Sequence, residues 1–332
     1  MLIQRHHQSL REDARGAVVA IGNFDGMHRG HQAVLARARE MAERRGAPFG
    51  LLTFEPHPRR VFKPDLPPFR LTSLRTKARL LAAMGADVLY AQAFNRTFAS
   101  LSADDFAETV LARHMGVKGV VVGPDFHYGK GRGGNPAHLE AAAKRLGFAV
   151  EVLAPVTSDL GEPFSSTLVR QYLGEGKVTR AALLLGRYWE IGGKVLGGRR
   201  LGRTIGFPTA NLKLRDMLRP AYGVYAVRVE IEGEDGVWHP GVANLGVRPT
   251  VEGADAEPLL EVHIFDRAPD LYGRHLRVAM VDFVRAERKF DGLDALKAQI
   301  ARDCDAARET LAWETWDGPW PASPYLSGGP RP

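Results

Sequence analysis

Up to about residue 175 this chain alternates short, apolar, β-rich runs with helical patterns, and then the rhythm changes to β-type segments alone. That switch limits the fold more than any other feature. Residues 17–21, 50–54, 88–94, 117–122 and 148–153 read as strands, and 32–45, 74–84 and 137–146 carry apolar residues at helical spacing. Ser102 opens a further helix with Asp105 in a capping-box position, and a last one runs from about 165 to 173. Strand–helix alternation of this kind implies a parallel sheet covered on both faces, an α/β Rossmann-like domain. Past Gly174-Glu175-Gly176, segments 188–195, 222–231, 237–242, 259–265 and 276–284 are separated by Gly, Pro and Asp turns. They predict a small antiparallel barrel or sandwich, closed off by a helix over 293–313 and a loose Pro/Gly-rich tail. The expected boundaries are 1–178, 183–315 and 316–332.

Composition narrows the setting. A chain of 332 residues holds two domains at roughly 150 residues each. A hydrophobic share of 45% with 25% charged argues against global disorder. Cys304 is the single cysteine, which excludes a disulfide framework and a thiolate zinc site and fits a reducing cytoplasm. No apolar run approaches the roughly 20 residues of a membrane helix. The run 17–21 ends in Gly-Asn and is too short for a signal-peptide core. We therefore expect a cytoplasmic protein with no membrane partner, monomeric or weakly self-associating. The net charge of +7 is compatible with nucleic acid or with small polyanions such as nucleotides.

The strongest local signal is Gly22-Asn23-Phe24-Asp25-Gly26-Met27-His28-Arg29-Gly30-His31, between the first strand and the first helix. Open α/β sheets bind ligands at such junctions. His-x-Gly-His at a helix start sets two imidazoles beside free N–H groups and the positive end of the helix dipole, and Gly30 allows close approach of a phosphate. This suits stabilisation of charge on an α-phosphate; taken alone, it is equally a Gly-rich turn with incidental histidines. Ser165-Ser166-Thr167 with Arg170 one turn on forms either a phosphate clamp or an ordinary helix cap. Thr53 to Pro58 ends the second strand with two prolines, as a stiff wall or a rigid turn. Asp125, Phe126 and Tyr128 follow a later strand, an acid with aromatics able to stack on a planar ring.

In the second half, Gly192 to Leu212 holds Gly193, Lys194, Gly197, Gly198, Gly202 and Gly206 interleaved with Arg199, Arg200 and Arg203, then Phe207-Pro208-Thr209-Ala210-Asn211. Glycines and guanidiniums of this kind wrap a polyphosphate, or grip a nucleic-acid backbone. No Gly-Lys-Ser/Thr follows, so this is not a Walker A loop. Thr209 and Asn211 offer the hard oxygens that Mg²⁺ accepts beside nucleotide phosphates. Glu261 sits in an apolar strand, as a partly desolvated base or as an outward-facing residue between Leu260 and Val262.

Taken together, Gly22 to Gln32, Thr53 to Pro58, Gly123 to Gly129 and Ser165 to Arg170 resemble the adenylyltransferase module of prokaryotic bifunctional riboflavin kinase/FAD synthetases. Pro208-Thr209-Ala210-Asn211, 220–225, 241–250 and 261–273 are similar to their riboflavin kinase module. The resemblance spans nearly the whole chain and implies a nucleotidyltransferase domain followed by a six-stranded barrel, using ATP twice to make FMN and then FAD. It implies ATP contacts at Gly22, Asn23, Asp25, His28, Gly30, His31, Ser165, Ser166, Thr167 and Arg170, with FMN near Pro56, Pro58, Phe62, Asp125 and Phe126. His28, His31, Arg170 and Glu261 are the implied catalytic residues, with Glu261 as base for the riboflavin 5′-hydroxyl. In the kinase half, Gly193, Lys194, Gly197, Gly202, Gly206, Phe207 and Pro208 are implied at ATP, and Thr209 and Asn211 at Mg²⁺. The family commonly has Phe-Arg-Phe-Gly where this chain has Phe126-His127-Tyr128-Gly129. A nucleic-acid-binding protein with a degenerate transferase half would have lost the reactive residues, and all of them are present. A different adenylyl acceptor, such as a pantetheine phosphate, leaves the complete kinase half unexplained.

Overall fold

The central strand β2 (Val18–Ile21) is buried along its whole length, as a run of β-branched and small apolar residues in a two-sided sheet must be. The computed structural model describes residues 1–157, 161–196, 206–247, 258–267 and 269–313. β2 pairs in parallel with β3 (Phe49–Glu55) on one side and β5 (Gly119–Val122) on the other. Beyond them lie β4 (Val88–Ala93), β1 (Leu2–Gln4) and β6 (Ala149–Val152), giving the order β1-β4-β3-β2-β5-β6. The chain winds from β2 outward through β3 and β4, then crosses back to β5, so the winding direction reverses between β2 and β5. That reversal opens a crevice at the carboxyl ends of those strands. Around the sheet pack α1 (Arg29–Arg45), α2 (Pro58–Phe62), α3 (Leu74–Ala83), α4 (Arg96–Ala99), α5 (Ala103–Asp105) running into a π-helical stretch (Phe106–Met115), and α6 (Pro136–Leu146). Ser102 and Asp105 form the expected capping box. One core is built from Val19, Ile21, Val120 and Val122 against Phe106, Val110, Leu111 and Leu139.

The second half is all antiparallel between α8 and the terminal helix. After α7 (Ser166–Gly174) and α8 (Val178–Leu185) come β7 (Trp189–Lys194), β8 (Ala210–Lys213), β9 (Gly223–Ile231), β10 (Trp238–Gly246), β11 (Leu259–Ile264) and β12 (His275–Ala286), in the order β7-β12-β9-β10-β11-β8. A bridge in which Leu196 N–H donates to the Asn211 carbonyl at 3.0 Å brings the two outer strands together, so the sheet is a nearly closed six-stranded barrel. Leu212, Tyr225, Val227, Leu245, Leu260, Val262 and Met280 share its inner face and are buried. The opposite face of β9 and β10 carries Val224, Ala226 and Val242, packed with Cys304, Ala307 and Leu311 of α9 (Leu293–Trp313). Arg285 of β12 pins α9 through a two-pronged ion pair with the buried Asp303, at 2.8 and 2.6 Å.

The chain forms two compact units: Met1–Pro67 with Thr72–Ser165, and Pro68–Leu71 with the described residues from Ser166 on. The tetrapeptide joins the second unit through its main chain. Phe69 O accepts from Arg170 Nε at 2.8 Å and Leu71 O from Trp189 Nε1 at 2.8 Å, and Arg70 exchanges backbone bonds with Asp216 and Leu218.

Candidate active sites

In the first unit, β2 runs out at Ile21 and the loop to α1 crosses the crevice. Phe24 and Met27 hold φ of 47° and 45°, a left-handed conformation that costs a side-chain-bearing residue roughly 1–2 kcal/mol. Both are buried, at 4% and 1% exposure. Thr72 is one clamp: its N–H and hydroxyl donate to Asp25 Oδ1 at 3.1 and 3.3 Å, and Gly26 N–H donates to its Oγ1 at 3.1 Å. Asp25, expected at the nucleotide, thus has an oxygen committed to shaping the loop. Gln32 Nε2 donates to the Met27 carbonyl at 2.8 Å and closes the turn from the helix side.

His28 is the N-cap of α1: its Nδ1 accepts from His31 N–H at 3.3 Å. A neutral His28 that accepts at Nδ1 carries its proton on Nε2 and presents a donor there. The His28 and His31 rings stack at 3.6 Å and 20°, and Phe24 lies against His31 at 4.7 Å. The first turn of α1 has no acidic residue to offset the positive end of the helix dipole. A methyl group on Gly30 would sit 3.2 Å from Phe164 Cβ and 3.3 Å from the His28 ring. Glycine therefore lets the chain around Phe164 pass the helix start, which brings Ser165 beside the histidine motif from 135 positions away.

Behind the loop, Asn23 turns its carbonyl inward, where Lys77 Nζ and Thr53 Oγ1 donate to it at 2.6 and 3.1 Å. Sequence reading passed over Lys77. Its signal was a cation on the apolar stripe of α3, one turn before Leu80 and Leu81.

The expected flavin residues lie at the same carboxyl edge of the sheet. Pro56 is exposed after β3, and Pro58 occupies the first turn of α2 with His57 as N-cap. Phe62 is 62% exposed and meets Phe94 edge-on at 5.9 Å. After β5, Asp125 is exposed and Phe126 is half-buried, stacked on Tyr128 at 5.3 Å. Tyr128 itself is core: burial, aided by the Asp104 charge, pushes its hydroxyl up to about 12, and that hydroxyl is bonded to His138 Nδ1 at 2.7 Å. The residue that replaces the family phenylalanine therefore supports Phe126 from beneath.

The rest of the Ser165 motif, Ser166, Thr167 and Arg170, starts α7 within the second unit. Arg170 directs Nε to the Phe69 carbonyl and lays its guanidinium over the Phe69 ring at 5.7 Å.

On the barrel, Gly193 and Lys194 end β7, while Gly197 and Gly202, with Arg199, Arg200 and Arg203, lie outside the described residues. Gly206, at φ 88°, leads through Phe207, Pro208 and Thr209 into β8, and Pro208 O accepts from His263 Nδ1 at 2.9 Å. Glu261 stands directly across from Asn211 on one side and Asn244 on the other. Cross-strand partners lie about 5 Å apart at Cβ, so the Glu261 and Asn211 side chains share one face. Thr209 immediately precedes β8, two residues before Asn211. Since Leu260 and Val262 fill the barrel, Glu261 faces outward, on the α9 side of the sheet. A second carboxylate joins it: a Cβ on Gly246 would run into the Glu287 carboxylate. Burial raises the Glu287 carboxyl above its ordinary range, against the pull of Arg285 and with a further push from Glu261.

No cluster of three or more His, Cys, Asp or Glu able to hold a metal exists among the described residues. The hard-oxygen pair Thr209 and Asn211 instead fits a divalent cation that arrives with nucleotide phosphates.

A crevice at the switch point of a parallel sheet, with stacked imidazoles on a helix start, and a separate barrel carrying a strand carboxylate beside oxygen ligands, define a two-module phosphate-transfer chain. The comparisons place it further. The FAD synthetase family model matches residues 10–168 and the riboflavin kinase model residues 185–311. The bifunctional riboflavin kinase/FMN adenylyltransferase of Escherichia coli (strain K12) is 45% identical over 308 residues, 93% of this chain and 97% of that protein. Its Pseudomonas fluorescens counterpart is 45% identical over 312 residues, covering 94% and 98%. A crystal structure from Streptococcus pneumoniae, described as a macrolide-efflux protein, superimposes with TM-score 0.80 at 32% identity over 94% of this chain and 99% of that one. The chain belongs to the bifunctional riboflavin kinase/FMN adenylyltransferase family. ATP use in that family calls for a divalent metal. No described helix is long and apolar enough to cross a membrane.

Proposed function

We infer that this chain phosphorylates riboflavin to FMN with ATP and then adenylylates FMN with a second ATP, releasing FAD and pyrophosphate. The observation that carries the reading is that the FAD synthetase match, residues 10–168, covers most of the first compact unit, while the riboflavin kinase match, residues 185–311, lies within the second. We assign residues 1–178 to adenylyl transfer, 183–315 to the kinase and 316–332 to a tail. ATP, riboflavin and FMN are the partners, with no nucleic acid or membrane, in a cytoplasmic monomer or weak homo-oligomer.

In the first half, an FMN phosphate oxygen attacks the ATP α-phosphorus and pyrophosphate leaves. The nucleophile is already anionic, so the residues stabilise charge rather than remove a proton. His28, donating from Nε2, and His31 face the α-phosphate from the α1 terminus; the resemblance in sequence also assigns Ser165, Ser166, Thr167 and Arg170 to ATP. Gly22, Asn23, Asp25 and Gly30 shape the loop, and Pro56, Pro58, Phe62, Asp125 and Phe126 hold the flavin. In the second half, Glu261 takes the proton of the riboflavin 5′-hydroxyl as that oxygen attacks the γ-phosphorus and ADP leaves. Gly193, Lys194, Gly197, Gly202, Gly206, Phe207 and Pro208 enclose ATP, and Thr209 and Asn211 would hold Mg²⁺. When bound, Mg²⁺ neutralises phosphate charge.

The test is to incubate the protein with riboflavin, ATP and Mg²⁺ and separate the flavins by chromatography. Glu261→Ala stops FMN formation and still converts supplied FMN to FAD, and His31→Ala does the reverse. Loss of both activities in either folded variant would overturn this division of labour.

A further inference from the structure

A buried cation lies beneath the histidine loop, and the transfer chemistry described so far makes no use of it. Lys77 is 2% exposed, and its Nζ donates to the Asn23 carbonyl at 2.6 Å and to Thr53 Oγ1 at 2.9 Å. Thr53, fully buried, donates in turn to the same carbonyl at 3.1 Å. Three elements, the loop after β2, the end of β3 and the first turn of α3, thus converge on one main-chain oxygen. Withdrawing an ammonium from water costs several kcal/mol, and a well-packed apolar side chain at 77 would avoid that cost. What an apolar side chain cannot do is hold the carbonyl.

The held carbonyl sets the rest of its peptide. A trans peptide is planar, with C=O and N–H pointing opposite ways. An Asn23 oxygen drawn inward therefore turns the Phe24 N–H outward. Phe24 is itself in the strained left-handed region, which a side-chain-bearing residue keeps only where its surroundings hold it, so the anchored Asn23 carbonyl helps keep the turn in place. The Phe24 N–H donates to no described residue. Four residues later His28 caps α1.

We propose that Lys77 is a positioning residue for adenylyl transfer: by holding the Asn23 carbonyl inward, it aims the Asn23–Phe24 peptide, and the start of the phosphate-facing loop, at the triphosphate of the nucleotide. This rests on the adenylyltransferase reading of the first unit. A purely structural lysine would change melting temperature and leave the kinetic constants alone.

The full-length Lys77→Met variant, assayed with supplied FMN, ATP and Mg²⁺, loses about 10- to 100-fold in kcat for FAD formation, the scale of a misplaced reacting group. Its KM for FMN stays within about twofold, because the flavin contacts are untouched. Riboflavin phosphorylation by the same preparation is unchanged and reports that the protein is folded. Thr53→Val keeps the ammonium but removes the hydroxyl that ties it to the carbonyl. It shows a smaller loss in kcat, and the double variant is no worse than Lys77→Met, since both changes act through Asn23. A Lys77→Met enzyme with kcat within about twofold of wild type overturns the proposal. So does an additive double variant. If Lys77→Met fails to fold, Thr53→Val decides alone, and an unchanged kcat there overturns it. Wild-type protein that cannot convert supplied FMN removes the site reading and this proposal together, whereas normal wild-type turnover with an indifferent Lys77→Met removes the proposal only.

Discussion

At Gly30 a single methyl group separates stability from activity. The residue lies in the first turn of α1 with ordinary helical geometry, so alanine is acceptable to the backbone and gains up to ~1 kcal/mol of helix propensity. The added Cβ would nonetheless press on Phe164 at 3.2 Å and on the His28 ring at 3.3 Å, and those neighbours carry the His28–His31 stack and Ser165. Gly30→Ala should therefore melt within ~4 °C of wild type. FAD formation from FMN should fall by about tenfold or more, since small displacements at a reacting centre are expensive in rate. Thermal melts beside a flavin assay check both halves of this expectation, and an unchanged rate would show that the glycine serves spacing alone. The residues of this site that could be read from sequence were those that lie in one contiguous run, Gly22 to His31, because their chemistry and their helix start are local. Thr72 and Lys77 could not be read in that way. Each acts on a loop some 50 positions away, and only the packing of α3 and the segment before it against the sheet edge chooses their partners.

Among the elements, those with a long periodic signal were legible and those that depend on a neighbour were not. The strands of the parallel sheet from β2 to β6 and the helices α1, α3 and α6 match the predicted runs to within a few residues. β1 was missed because three residues at a sheet edge carry no pattern; it exists by pairing with β4. β8 was missed because Ala210-Asn211-Leu212-Lys213 alternates over only four residues, and barrel closure makes it a strand. α8 is not among the elements the sequence predicts between Gly176 and the segment 188–195, yet Val178, Ala181, Ala182 and Leu185 bury one helical face. The edge that β1 forms also carries a pH dependence. His7, in the turn after β1, donates its backbone N–H to Gln92 Oε1 at 3.0 Å and directs Nδ1 at the same oxygen. Burial lowers its pKa below 6.5; the Gln92 bond opposes this, and His114 and His6 add to it. Between the folded pKa and 6.5 the unfolded chain holds a proton that the native chain refuses, so stability rises with pH through that window. It is complete above 6.5 and lost as pH falls through the folded value. Urea midpoints between pH 7 and 5 should drop more steeply for wild type than for His7→Phe, which keeps a ring against Phe98 and His114. Coincident slopes would mean that His7 is not the group responsible.

For the whole molecule, the sequence already implied two domains of different architecture, and what it left open is how the product of one becomes the substrate of the other. FMN must leave the barrel site before the adenylyltransferase can use it, either into solvent or directly within one chain. Two inactive variants distinguish these routes. On the proposed roles, Glu261→Ala should make no FMN and His31→Ala no FAD, so neither alone should turn riboflavin into FAD. If FMN is released, an equimolar mixture of the two regains FAD synthesis: the His31→Ala chains supply FMN and the Glu261→Ala chains adenylylate it. The mixture should then show a lag that shortens as protein is added, because FMN has to accumulate in solution before the second step runs. Unlabelled FMN added in excess should dilute labelled FAD made from labelled riboflavin to the same extent in mixture and wild type. A mixture that makes FMN from riboflavin and FAD from supplied FMN, yet no FAD from riboflavin, would mean that transfer requires both functional sites in one chain.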